Sequence, residues 1–163
     1  MKKNVFILAV IFVFGVSVGN ADKIKKLSLD DASTAGTTII NDKSVKVEGK
    51  ASLRIQTLWP TVICLGEAEG LNIEEARLIY SASVKSDLSG SAYLEMWVHV
   101  DGGQYFSRGL NDTVEGAVDW KTIRTAFLFQ KGQKPDKVTL NIVINGRGTV
   151  WVDDVRLSGE RQK

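Results

Sequence analysis

The chain has 163 residues, enough for one domain of ordinary size and short for two. Its 44% apolar and 25% charged composition, with only two prolines, excludes a mainly disordered polypeptide. A formal net charge of +2 gives no electrostatic footprint for nucleic acid.

Residues 1–21 form the first unit. Lys2 and Lys3 precede an apolar run from Val5 to Val18, and the small residues Gly19 and Ala21 stand where a cleavage site requires them. This is the pattern of a secretory signal peptide, cut after Ala21. The run is short for a membrane span, and no cysteine follows it to carry a lipid. Without Lys2 and Lys3 the chain has equal numbers of basic and acidic side chains. The expected mature domain is 22–163, secreted to a periplasmic or extracellular destination, with no membrane span and no nucleic-acid partner.

From there the pattern is strand-like almost throughout. In chain order the candidate strands are 26–31, 44–56 around a turn at Gly49 and Lys50, 60–65, 76–86, 91–100, 119–129, 137–145 and 148–157. Turn-forming clusters separate them: "DLSGS" (87–91), "DGGQ" (101–104), "KGQKPD" (131–136) and "NGRG" (145–148). Only "GLNIEEARL" (70–78) has a helical reading. The fold class is all-β, a single jelly-roll β-sandwich of about 8–9 antiparallel strands.

Cys64 is the only cysteine, which excludes an intramolecular disulfide and a thiolate metal cluster. Its apolar neighbours in "TVICLG" suggest a small buried hydrophobe. Side chains alternate along a strand. In 91–100, Leu94, Met96, Val98 and Val100 make the core face, and Tyr93, Glu95, Trp97 and His99 the other. Two large rings with a carboxylate and an imidazole suit a sugar-binding surface, because pyranose C–H faces stack on rings and hydroxyls need polar neighbours. The alternative is rings covered by a loop. In 137–145, Val138, Leu140, Ile142 and Ile144 face the core and Asn141 faces out. Asn141 would lie near Trp97 if the two strands are neighbours. Trp59 is a further ring for a cleft rim, and Trp120 reads as a plug at the core edge.

Catalytic patterns are missing. One histidine and no spaced Ser/Asp motif speak against a hydrolase triad. Glu95 has no identifiable second acid for glycoside hydrolysis, and no phosphate-loop, dinucleotide or zinc-protease motif occurs. An enzyme is the least favoured class.

"EGKASLRI" (48–55), "YSASVKSD" (80–87), "DWKTIRTAF" (119–127) and "GTVWVDDVRL" (148–157) resemble strands of galactose-binding-like jelly rolls, best known as carbohydrate-binding modules of xylanases and cellulases. The resemblance spans about 27–158. It implies the fold more firmly than the function, since the superfamily includes domains that bind no sugar. It also implies a role for the adjacent acids Asp153 and Asp154. Many of these jelly rolls hold a structural calcium, whose ligands would here be Asp30, the carbonyl of Lys50, and Asp153. A buried unpaired carboxylate is costly, and calcium gathers 6–8 oxygens. The competing reading has Asp153 accepting backbone N–H groups or meeting an arginine such as Arg54. The resemblance further places glycan binding on the concave sheet, so the candidate ligand contacts are Tyr93, Glu95, Trp97, His99 and Asn141. The expected function is a secreted, non-catalytic module that recognises polysaccharide on one sheet face. The alternative is a structural or protein-interaction module of a periplasmic or cell-surface assembly, with a protein partner and no sugar ligand.

Overall fold

A computed structural model describes residues 22–26 and 36–161. Residues 1–21, where the sequence suggests a signal peptide, and Asp30 and Asp31 lie outside the described residues. Eight strands are present among the described residues: β1 (Asp22–Lys26), β2 (Thr37–Asp42), β3 (Ser52–Thr57), β4 (Thr61–Glu69), β5 (Ala76–Val100), β6 (Gly103–Arg108), β7 (Val114–Leu128) and β8 (Pro135–Arg161). All pairings are antiparallel.

The organising feature is the long β5–β8 ladder, which runs from Ala76 opposite Arg161 to Val100 opposite Pro135. Its two halves belong to two layers. In one layer the order is β4, the first half of β8, the second half of β5, and β6. In the other it is β2, β3, the second half of β8, the first half of β5, and β7, with β1 also along β8. Both halves send apolar side chains into one core: Leu78, Tyr80 and Val84 from the first half of β5, and Leu94, Met96 and Val98 from the second. Val138, Leu140, Ile142 and Ile144 complete it from β8, as alternation predicts.

The fold-over lies at "DLSGS" and "NGRG", which the sequence suggests are turns. They are instead continuous strand, with Gly90 opposite Gly146. A Cβ on Gly90 would run into the carbonyl of Asn145, and one on Gly146 into that of Ser89. Glycine here marks a close backbone approach, not a chain reversal. Two other expectations change. Residues 70–75 form no helix and lead directly into β5. Residues 43–51 form a loop, and the strand begins only at Ser52.

The apolar run with two acids also resolves. Val150 and Val152 are buried on the core side, and so are Val155 and Leu157, although these pairs have opposite parity. The switch is a bulge: Ser83 faces Asp153, whereas Ser81 faces Arg156. Asp154 takes the extra position at φ +49. Asp153 therefore shares an outward face with Trp151, as alternation suggests, but not with Val155 and Leu157. It is buried beneath the 43–51 loop, not in the core.

Candidate functional site

The outer face of the β4–β8–β5–β6 layer gathers the candidate ligand contacts. Cross-strand register sets its rows. Arg108, Glu95, Asn141 and Cys64 form one, and Phe106, Trp97, Thr139 and Glu67 the next. Gln104, His99, Lys137 and Glu69 form a third, while Tyr93, Val143 and Val62 lie on the far side of the first. All five residues singled out from the sequence are thus on one surface.

They are not equally available. Glu95, only 4% exposed, is a hub. Its Oε1 accepts from Trp97 Nε1 at 2.7 Å and from Asn141 Nδ2 at 3.5 Å, and its Oε2 accepts from Arg108 Nε at 2.6 Å. A buried carboxylate needs such partners. The same contact with Glu95 raises the pKa of Arg108 above its ordinary value. Asn141 and Tyr93 are also buried. These residues position what stands above them more than they offer free groups.

What they position is a pair of rings. Trp97 is half-buried, with its indole N–H fixed on Glu95. Its ring centroid is 5.4 Å from that of Phe106, tilted by 54°. Phe106 is 52% exposed and carries the Arg108 guanidinium 4.5 Å from its centroid. Arg108 therefore links the carboxylate to the outer ring, and Glu95, Trp97, Phe106 and Arg108 hold one another in place. Rings fixed before a ligand arrives lose little entropy on binding. Beside them His99 Nε2 lies 3.3 Å from Gln104 Nε2. The Lys137 ammonium lies 2.8 Å from Glu67 and has a raised pKa through that contact. Val62 adds an exposed apolar side chain at the β4 edge.

Phe106, Arg108 and Gln104 are absent from the sequence reading, because 103–108 is not recognised there as a strand. The signal was available in "VDGG". Asp101 and Gly102 have φ of +53 and +71, the backbone of a tight hairpin turn that Asp-Gly favours. That turn brings β6 back along β5. Cys64 is a correction: it is exposed on this outer face, not buried. Packing around its sulfur raises the thiol pKa. Trp59 is exposed in the bend before β4, and Trp120 is half-buried.

Two of the three expected calcium ligands, Asp153 and the Lys50 carbonyl, have protein partners. Asp153 Oδ2 accepts the N–H groups of Val47 and Glu48 at 2.7 and 3.1 Å, and its Oδ1 accepts that of Asp154 at 2.8 Å. The Lys50 carbonyl accepts from the Lys46 ammonium at 3.3 Å, and the Gly49 carbonyl does so at 3.2 Å. Asp30 lies outside the described residues. Among the described residues, no cluster of three His, Cys, Asp or Glu is placed to hold a metal. Backbone N–H groups and the Lys46 ammonium engage the described oxygens of this turn, and the expected calcium set further requires Asp30. Nor does any helix among the described residues reach the length and apolarity needed to cross a membrane.

No family model matches the sequence, and no curated protein matches it. Solved structures match its fold. The structure is similar to the CBM22-1 xylan-binding domain from Paenibacillus barcinonensis Xyn10C, with a TM-score of 0.55 and 14% identity over 90% of this chain and 100% of that one. It is similar to the CBM22-1–CBM22-2 tandem domain from the same protein, with a TM-score of 0.60 and 12% identity over 91% of this chain and 48% of that one. A family 16 carbohydrate-binding module gives a TM-score of 0.54 and 9% identity, over 76% of this chain and 86% of that one. The fold is therefore the all-β sandwich of carbohydrate-binding modules. At these identities the likeness speaks for the fold.

Proposed function

We propose that this chain is a secreted, non-catalytic module that binds polysaccharide on the outer face of the β4–β8–β5–β6 layer. The observation that carries the reading is the ring pair Trp97–Phe106, fixed from below by the Glu95–Arg108 bridge. Two rings at different tilts offer stacking surface to successive sugar units of a chain. Arg108, His99, Gln104 and Thr139 surround them with groups able to donate or accept hydrogen bonds to hydroxyls. The likeness to xylan-binding domains supports the polysaccharide class and makes xylan the first ligand to try.

Glu95 supports the non-catalytic part. Both its oxygens already accept N–H groups, so it stands as an anchor and not as a free acid or base. The test is affinity electrophoresis of residues 22–163 through gels containing the neutral polysaccharides arabinoxylan, β-glucan or mannan. At least one polysaccharide should retard the wild type, and Phe106→Ala should migrate freely. Equal retardation of both would overturn the assignment of this face. A wild type that ignores every polysaccharide while capturing a defined protein would favour the interaction-module alternative.

A further inference from the structure

The opposite layer carries a second tryptophan built into its outer face in a similar way. Trp151 is half-buried there. Its Nε1 donates to Asp42 Oδ2 at 3.0 Å, as that of Trp97 donates to Glu95. Asp42 is fixed in turn by Ser44, through N–H at 2.9 Å and hydroxyl at 2.6 Å, and by the Val45 N–H at 3.1 Å. The register places Arg54 on one side of Trp151 and Lys85 on the other. Lys85 is neutralised by Asp119 at 2.7 Å. Arg54 has no ion pair among the described residues. Its guanidinium carbon lies 5.8 Å from the Trp151 ring centroid, and its Nε is buried without a hydrogen-bond partner.

A guanidinium beside a fixed indole, with no anion of its own among the described residues, is an incomplete arrangement. Arginine's planar fork matches a carboxylate with two parallel hydrogen bonds, and the indole takes the C–H face of a sugar ring. Among the described residues, Asp42 and Asp153 are already engaged by N–H and O–H donors and do not pair with Arg54. We propose that Trp151 and Arg54 form a second saccharide subsite, on the layer opposite Trp97, for a sugar unit bearing a carboxylate, that is, a uronic acid residue. This extends the polysaccharide reading to an independent face, and the two are separable by mutation.

The test is calorimetric titration with tetragalacturonate and with a neutral tetrasaccharide, using wild type, Arg54→Gln and Trp97→Ala. Tetragalacturonate should bind the wild type, bind Arg54→Gln at least about tenfold more weakly, and bind Trp97→Ala unchanged. Its affinity should fall as salt is raised. Hydroxyl-radical footprinting of the wild type gives a readout independent of any variant's folding, in which tetragalacturonate protects Trp151 and leaves Trp97 reactive. No binding to the wild type, equal binding to Arg54→Gln, or protection confined to Trp97 would each overturn the second subsite. Failure of the Trp97 face would show instead as neutral-saccharide binding insensitive to Trp97→Ala, with the Arg54 result unaffected.

Discussion

Glu95→Gln probes the anchor under the ring pair with almost no change of shape. The carboxylate accepts from Trp97 and Arg108 at 2.7 and 2.6 Å, one on each oxygen. An amide has a single oxygen, so its NH2 must face either the indole N–H or the guanidinium, donor against donor. The lost charge-assisted bond is worth about 1.5–3 kcal/mol in a dry setting. The Arg108 side chain is 41% exposed, so water recovers part of that, and about 1–2 kcal/mol is the expected loss. For a domain of this size that lowers Tm by about 3–6 °C. Thermal unfolding of wild type, Glu95→Gln, Arg108→Gln and the double variant closes a mutant cycle. The expected coupling between the two positions is about 1–2 kcal/mol. An unchanged Tm in Glu95→Gln and zero coupling in the cycle would refute the anchor.

Three further outcomes follow from the geometry. Gly146→Ala places a methyl against the Ser89 carbonyl, so its urea midpoint should fall by an amount equivalent to about 2–3 kcal/mol. At Gly132, where φ is +86 and the added methyl meets open space, the cost should be nearer 1 kcal/mol, and equal costs would contradict a tight fold-over. With Lys46 serving the Gly49 and Lys50 carbonyls, EDTA should leave Tm unchanged and Lys46→Met should lower it slightly; a clear EDTA-induced drop would show instead that calcium holds this turn. Hydrogen bonds from Ser44 and Trp151 hold the Asp42 pKa well below its ordinary value of 3.8. Its stabilising contribution is thus fully present above that value and is lost as pH falls below it. Asp42→Asn should flatten the acid limb of the stability profile, and an unaltered limb would contradict the assignment.

Much of this was legible in the sequence, for reasons that particular residues make clear. Strict alternation in 92–98 and 138–144 places Met96, Leu140 and their neighbours in the core and Glu95, Trp97 and Asn141 outside, because these two stretches pair in continuous register. Alternation fails where the ladder gains a residue. The bulge at Asp154 reverses the facing of Val155 and Leu157, and no composition signal announces it. Glycine clusters mislead in another way. At 87–91 and 145–148 glycine serves interstrand closeness, which looks the same in sequence as a turn. The partners of Glu95 and Trp97 on β6, Arg108 and Phe106, come into place only through the turn at Asp101 and Gly102. Cys64 shows that an apolar neighbourhood in sequence does not bury a residue on an edge strand's outward face.

The central claim is that Trp97 and Phe106 form a polysaccharide platform. Its most direct test is titration of folded residues 22–163 with xylan-derived and other neutral oligosaccharides, in wild type and in Trp97→Ala, with circular dichroism to confirm that both are folded. The account predicts saturable binding by at least one neutral oligosaccharide and its loss in Trp97→Ala. Undiminished affinity in that variant, or a folded wild type that binds none of them, would contradict it.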